Sequence, residues 1–403
     1  VQSWPVVLAQ QDGGRMRARA EFDMRILASL EEIEAVAEQW RALEDRCADP
    51  MAYFQSYDWC RNWIAQYGQD GRHQPHVATL WRGNRLVALW PLAIGQGGIR
   101  RLVTLGAPHS QYCGLLAEPG LHVERDLMPM SQMALDRSGC DVAVFRTVPE
   151  DSLLYRVLGD MTVVPDAGDS AAMLDLSAYA SSADYAAQLG KLQKRNRNRR
   201  RNHLARRGEL DFAVLWPDDP EFADLVRRCT EMKRRWLAEM KLYSAGFAMG
   251  NFDHFLASLG GDSARKSGAC LSVLRVGNVP VAIELGFLRQ GHYCAYMGGF
   301  DWSLRDLSPG KVQMDMTVGW LIDQGVATYD LLTNAAAYKK SWSSRNVAVA
   351  CQARALTWRG EIYASTWLPR IRPALKRLRN RLPDLALMAM AYLRGGLCLL
   401  LYV

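Results

Sequence analysis

Two stretches decide how this chain reads: LWRGNRLVALWPLAI, Leu80 to Ile94, and LRVGNVPVAIELGFL, Leu274 to Leu288. Each is a β-rich run, then Gly-Asn, then a second run that carries Val-Ala. Gly-Asn between two strand-like runs supplies the positive φ angles of a tight hairpin, so Gly83-Asn84 and Gly277-Asn278 are expected to be hairpin turns. The correspondence continues downstream. RRLVTLGAPHSQ (100–111) lines up with HYCAYMGGFDWS (292–303), each a strand ending at glycine, with His109 standing where Asp301 stands. SGCDVAVFRTV (138–148) then lines up with GVATYDLLTNA (325–335), each a strand after a turn. A constant offset of about 190 residues, with few identities, is the mark of a repeated architecture.

Each copy reads as helices, a strand, a hairpin, another strand, a helix and a further strand. In the first, LEEIEAVAEQWRALED places Ile33, Val36, Ala37, Trp40 and Leu43 at helical spacing. In the second, Phe222, Leu225, Val226, Cys229, Met232 and Trp236 do the same, after an expected start with Asp219 as N-cap and Pro220 at the first helical position. The expected fold is α/β: two tandem α/β/α units, mixed central sheets flanked by helices, with a C-terminal helical tail. The expected divisions are 22–175, 176–368 and 369–403.

Composition agrees with that size. At 403 residues, 49% hydrophobic and 23% charged, the chain is long enough for two cores. Its nine cysteines contain no C-x-x-C pair, so neither a zinc framework nor a disulfide scaffold is signalled, and no metal is expected. Cys113, Cys140, Cys270, Cys294 and Cys351 lie in apolar strand-like contexts, where cysteine acts as a small core residue. Dispersed cysteines fit a reducing cytoplasm. The N-terminal stretch lacks the pattern of a secretion signal, and order is expected to begin near Phe22.

The second copy carries the richer chemistry. Ser308-Pro309-Gly310 opens an apolar-periodic helix (Val312, Met316, Val318, Leu321, Ile322), flanked by Arg305 and Lys311. A helix N-terminus exposes unpaired amides and the positive end of the dipole, which suits an anion, although a serine followed by proline also serves as a plain helix start. No Ser-His-Asp or Cys-His order emerges from the sequence.

The order of strand, RDLSPG, helix, strand and AAAYKKSW resembles the GNAT superfamily of acyltransferases, in its duplicated CelD-like and Fem-like branch. The matching motifs are Gly299-Phe300-Asp301, Ser308-Pro309-Gly310 and Tyr338-Lys339 with Trp342. LWPLAI and LGAPHSQY extend the likeness into the first copy, so that it runs from Phe22 to Arg359. The resemblance implies an enzyme that transfers an acyl group from acyl-CoA to an amine or hydroxyl. In that family a glycine-rich loop before the helix cradles the pyrophosphate. Here the loop is Arg305-x-x-Ser308-x-Gly310, and Pro309 removes one amide donor.

On that resemblance, Asp301 is the candidate base or acceptor-positioning group, Tyr338 the proton donor to the leaving thiol, and Lys339 the partner of phosphate or developing charge. Arg305, Ser308, Gly310 and Lys311 are the candidate cofactor residues. His109 and Trp342 are candidate acceptor contacts. Each has a plain alternative: Asp301 as a turn cap, Tyr338 as a core residue, Lys339 as a solvated lysine, His109 as a structural histidine. The first copy lacks SPG and YK equivalents and is assigned to the acceptor side.

The formal charge of +7 concentrates in KLQKRNRNRRRNHLARRGE (191–209) and RIRPALKRLRNR (370–381). The first run lies between the copies and reads as one helix from Ser181 or Ser182 to Gly208, with Tyr185, Leu189, Leu192 and Asn196 on one face. Three readings stand: a nucleic-acid surface, a solvated linker helix, or an acceptor site in which Lys194, Arg195 and Arg199 meet the phosphate of a nucleotide- or lipid-linked sugar. The second run precedes the apolar segment Leu385 to Val403, interrupted by Arg394 and Gly395-Gly396. It reads either as a helix pair on the inner membrane face or as a helix docked on the protein's own core.

These readings converge on a cytoplasmic acyl-CoA-dependent N- or O-acyltransferase acting on a sugar or on a cell-envelope or exopolysaccharide precursor. A Fem-like aminoacyl-tRNA-dependent transferase and a non-catalytic GNAT-fold scaffold of polysaccharide synthesis are the alternatives.

Overall fold

The computed structural model describes residues 22–69, 71–164, 170–333, 339 and 342–379. Both Gly-Asn pairs are hairpin turns. Val77–Arg82 runs antiparallel to Arg85–Trp90 and closes at Arg82↔Arg85. Ser267–Val276 runs antiparallel to Val279–Arg289 and closes at Val276↔Val279. Gly83 (φ 61°), Gly277 (φ 53°) and Asn278 (φ 65°) occupy the left-handed region, which glycine and asparagine enter at least cost.

The strand after each hairpin finds a parallel neighbour. Arg101–Thr104 pairs with Val142–Pro149 through Arg101↔Val142 and Leu102↔Ala143. His292–Phe300 pairs with Thr328–Asp330 through His292↔Thr328 to Cys294↔Asp330. Parallel neighbours need a crossover. Helix Met128–Asp136 provides it in the first half, and helix Pro309–Asp323 in the second. The pairing order is thus the same in both halves.

The halves differ in continuity. The first hairpin breaks at His76 and at Pro91, where proline has no amide to give the ladder. Its outer pieces join Asp23–Leu27 and Leu116–Ala117 in a four-stranded sheet, while the inner pieces enter the main 13-stranded sheet. That sheet spans both halves. Ser170–Asp175 lies between Thr328–Asp330 and the start of Arg345–Ala355. Arg345–Ala355 then continues along Val142–Pro149 in the first half. Aromatic packing closes the same joint, with Tyr53 stacked on Phe287 at 4.2 Å and Phe54 and Trp59 edge-on to Phe287.

Three helix expectations need correction. The leading helix is two, Leu30–Ala35 and Ala37–Arg46, because Val36 leaves helical geometry; Ile33, Trp40 and Leu43 are buried as expected. The second-half helix begins at Phe222 with Glu221 as N-cap, because Asp219 is held in a turn with Trp216 and its carboxylate accepts the Glu221 amide at 2.9 Å. The basic run is two helices, Ser182–Gln188 and Lys191–Ala205, which part at Leu189-Gly190. Ser181 caps the first, accepting the Asp184 amide at 3.1 Å. Leu192 is 69% exposed, and the packed face of the second helix is the one holding Arg197 and Leu204. The eight described cysteines are all buried.

Helix Phe222–Glu239 lies directly on the end of strand His292–Phe300. A Cβ at Gly299 would stand 2.6 Å from the Cys229 carbonyl oxygen and 2.9 Å from Met232 Cβ, whereas one at Gly298 would meet nothing within 4 Å. Gly299→Ala should therefore lower stability by roughly 1–3 kcal/mol, and Gly298→Ala should stay within about 0.5 kcal/mol of the parent. Urea denaturation of the two variants side by side checks this; equal effects would mean that the helix is not seated on the strand.

Candidate active site

Strands His292–Phe300 and Thr328–Asp330 stay together for three residue pairs and then part. Beyond Cys294 the longer strand continues with that edge unpaired among the described residues. A bulge sits at the point of parting: Ala295 opposes Gly286 and Met297 opposes Leu285, so Tyr296 has no partner on the neighbouring strand. A bulge bends its strand and frees backbone groups. Ala295 and Tyr296 are half-buried and Gly298 is exposed, so solvent reaches the opened edge.

The floor of this opening is polar and tightly held. The fully buried Asp330 carboxylate accepts hydrogen bonds from the Tyr112 hydroxyl (2.8 Å), from His292 Nε2 (3.0 Å) and from the Leu332 amide (2.7 Å). Leu332 has φ 61°, a strained conformation for a branched residue, which persists only where its surroundings dictate it. Lys339 supplies the other constraint, since its ammonium donates to the carbonyls of Leu331 (2.7 Å), Leu332 (3.2 Å) and Thr333 (2.7 Å). The lysine is buried, not solvated, and its three donors are spent on main chain. The expected pairing of Lys339 with a phosphate is corrected accordingly: it is a positioning residue. Tyr338 lies outside the described residues. Trp342 donates its amide to the Lys339 carbonyl at 3.0 Å and packs its half-buried ring in the cluster of Val318, Leu321 and Tyr329.

The first half reaches into the same opening through one loop. His109 offers its carbonyl to the Tyr296 hydroxyl at 3.0 Å, Thr333 Oγ1 donates to Gln111 Oε1 at 3.3 Å, and Tyr112 holds Asp330. The His109 ring itself is not a substrate contact. It is 2% exposed, stacked between Tyr67 and Phe252, and accepts the Trp63 indole N–H at Nδ1 (2.9 Å). Nε2 therefore carries the proton and donates to the Gly246 carbonyl at 3.1 Å. Burial pushes its pKa down from 6.5 to about 4, so it is a neutral structural histidine that joins the halves.

On the helix side, Asp301 turns the chain: its carboxylate accepts from the Ser303 amide (2.9 Å) and hydroxyl (2.7 Å). The turn Trp302–Leu307 follows, and Ser308, at φ 56° and ψ 52°, hands it over to helix Pro309–Asp323. Of the first amides, proline has none and that of Lys311 returns to the Ser308 carbonyl at 3.0 Å. Among the described residues, Gly310 keeps the uncommitted N–H. Arg305 lies over the Trp302 ring at 5.5 Å, and Lys311 is exposed. An anion at this point would meet one free amide, two nearby cations and the positive end of the helix dipole.

Helix Lys191–Ala205 lies along helix Pro309–Asp323. Arg197 pairs with Asp315, whose pKa is raised by burial against the pull of Arg197, Arg201 and Arg200. The fully buried Leu204 packs with Val312 and Val281. Lys194 donates to the Ala187 carbonyl at 2.7 Å. Arg195 and Arg199 are exposed and make no hydrogen bond or ion pair among the described residues.

Sequence reading missed two polar groups. Glu284, the lone acid in strand Val279–Arg289, accepts from the hydroxyls of Tyr329 (2.9 Å) and Tyr293 (3.1 Å) beneath the helix. Nearby, Gln313 Nε2 donates to Ser272 Oγ at 2.6 Å. An acid at a core position of VAIELGFL was the available signal. His292, Cys294 and Asp330 form the other group, with ligand-type atoms within 4.8 Å of one another and all buried. Burial drives the Cys294 thiol well above its ordinary pKa, and the Asp330 oxygens are occupied by the hydrogen bonds above. A cavity of about 710 Å³ opens beside Asp301 and Trp302, lined also by Asp224, Arg228, Glu231 and Arg235 of the adjoining helix.

Residues 191–340 match the family model described as Acetyltransferase (GNAT) domain. No curated protein sequence matches the chain. Among solved structures, FemX is similar at 9% identity and TM-score 0.55, covering 85% of this chain and 98% of that one. The C-terminal domain of a candidate lysylphosphatidylglycerol synthetase from Agrobacterium fabrum is similar at 14% identity and TM-score 0.53, covering 81% and 92%. A conserved protein of unknown function from Bacteroides thetaiotaomicron is similar at 11% identity and TM-score 0.50, covering 82% and 99%. At these identities the likeness is one of fold, and it embraces both halves.

Burial raises the Glu284 pKa from 4.5 to about 7, against the hydrogen bonds that lower it. The folded state then holds more protons than the unfolded chain between those values, so this group's contribution to stability falls as pH rises from about 4.5 to about 7. Glu284→Gln removes that slope. The variant should gain roughly 2–3 kcal/mol relative to the parent between pH 4.5 and pH 8. Urea denaturation across that range checks it, and parallel pH profiles would place the titration elsewhere.

Proposed function

We propose that the protein is an acyl-CoA-dependent N- or O-acyltransferase whose donor site is the second half. The observation that carries this reading is the parting of strands His292–Phe300 and Thr328–Asp330 at the Tyr296 bulge, within the stretch that matches the acetyltransferase family model. An opened strand edge offers backbone donors and acceptors to the amide-bearing arm of coenzyme A, and donors to the thioester oxygen as it gains charge. Arg305, Lys311 and the Gly310 amide are the groups for its phosphates, with Ser308 shaping the turn.

In the reaction, an amine or hydroxyl attacks the thioester carbonyl carbon and loses its proton. The tetrahedral intermediate collapses with cleavage of the C–S bond, and the thiolate takes up a proton. Asp301 borders the cavity beside the strand end and is the acceptor-positioning group or base. Tyr338 is the proton donor of this reading. The acceptor is a sugar or a cell-envelope or exopolysaccharide precursor, with Arg195 and Arg199 available to a phosphate on it and Lys194 beside them, tied to the Ala187 carbonyl. The place of action is cytoplasmic, at the inner membrane face.

One observation favours a second reading. The unpaired arginine face of helix Lys191–Ala205, on a fold shared with FemX, suits an aminoacyl-tRNA donor of the Fem-like branch. A scaffold role would keep the fold and lose the ligand.

The test is thermal stabilisation by acetyl-CoA, longer acyl-CoAs and free coenzyme A, since a ligand that binds only the native state raises the melting temperature by mass action. A saturable shift of several degrees is expected, reduced at least ten-fold in apparent affinity by the pair Arg305→Ala and Lys311→Ala. No shift with any thioester in a folded sample sinks the acyl-CoA donor; a shift that only charged tRNA produces would establish the second reading.

A further inference from the structure

The chain leaves the shared sheet at Ala355 and continues through Trp358–Ile362, Tyr363–Ile371 and Arg372–Arg379, three helical segments in succession. Its inner side is anchored. Thr357 Oγ1 donates to the Asp141 carboxylate at 2.8 Å and accepts the Gly360 amide at 3.3 Å. Gly360 lies so close to the Asp141 carbonyl that no side chain fits between them. Tyr363 and Leu368 are buried with Val142, Val144, Val164, Cys351 and Ala353.

The outer side carries large apolar side chains in the open. Trp358 is 74% exposed, Ile362 58% and Ile371 38%. Trp358 and Ile362 stand one helical turn apart, and the segment between Ile362 and Ile371 is wound in wide, π-type turns. Arg359, which reaches Asp141 and the Gly98 carbonyl, and Arg370 are exposed beside them, Arg372 is half-buried, and Glu361 is the one exposed acid of the helix Trp358–Ile362, leaving the cations in excess. From Ile362 to Pro383 the sequence contains no acid, and the apolar run Leu385 to Val403 follows.

An exposed tryptophan and isoleucine rimmed by cations, on an anchored segment, match the two demands of an anionic bilayer surface: an apolar wedge for the acyl boundary and positive charge for the headgroups. A nucleic acid would leave the isoleucines without a role. A second copy of this chain would bring the same cations face to face across a two-fold axis. None of the described helices is long and apolar enough to cross a membrane. We infer that Trp358, Ile362 and Ile371, flanked by Arg359, Arg370 and Arg372, form the patch by which the protein sits on an anionic lipid surface. The inference refines the membrane-face part of the function proposed above and is independent of its donor.

The test uses the full chain and vesicles of phosphatidylcholine, with or without about a third phosphatidylglycerol, in a co-sedimentation assay. Saturable binding to the anionic vesicles is expected, weakening as salt rises from about 0.05 to 0.5 M. Trp358→Ser with Ile362→Ser should weaken it roughly ten-fold or more while leaving the melting temperature and any acyl-CoA shift unchanged. Parent protein that ignores anionic vesicles would overturn the inference, as a patch covered by the chain's own residues requires. Undiminished binding by the double variant would overturn it too, because another segment would then carry the contact.

Discussion

Main-chain hydrogen bonding along Arg345–Ala355 is the constraint on which the rest of the molecule depends. One end of this strand is paired to Ser170–Met173 and the other to Val142–Pro149, so a single strand belongs to the sheets of both halves. Sheet hydrogen bonds impose both register and direction. Two α/β units that could otherwise sit at many angles are thereby held at one. The loop carrying His109, Gln111 and Tyr112 arrives at the opening between the parting strands because that angle is set.

Polar groups buried at the joint refine the placement. Asp330 and Lys339 grip opposite sides of the same three-residue turn, one accepting its amide and the other donating to its carbonyls, and the left-handed Leu332 is the conformation that results. Arg289, 8% exposed, spends its guanidinium on the carbonyls of Glu44 (2.8 Å) and Asp49 (3.1 Å) across the halves. Groups of this kind are costly to bury unless every donor finds an acceptor, and their directionality makes a near-miss expensive. They define the joint more sharply than the aromatic packing around them, which tolerates small shifts.

Charge is sorted between two surfaces. The arginines of Lys191–Ala205 flank the helix that starts at Ser308, where a negatively charged ligand is favoured. The cations after Trp358 lie on the arm that packs against Val142–Pro149 of the first half, among exposed apolar side chains. The two clusters that look alike in sequence thus have different neighbours, a helix N-terminus in one case and an apolar patch in the other.

Local rules made the hairpins, the helix start at Ser308-Pro309-Gly310 and the doubled order of elements legible in the sequence, because Gly-Asn turns, a proline at a helix start and alternating apolar runs depend on neighbouring residues alone. Sequence reading placed Tyr185 and Leu189 on a packed face, as they are, but extended that face to the exposed Leu192: in the second helix the packed side is set by Asp315 and Val312, more than a hundred positions away. It singled out Lys339 and His109, holding a structural role open for the histidine but expecting a phosphate or water around the lysine. Whether a lysine meets a phosphate or three carbonyls, and whether a histidine meets a substrate or a tryptophan, is decided by which distant segments arrive beside it. The sequence by itself determined the fold class and the doubled hairpin order. Only the tertiary structure decided the opened strand edge, the Asp330–Lys339 clamp and the shared strand, because each rests on hydrogen bonds between parts of the chain that nothing local brings together.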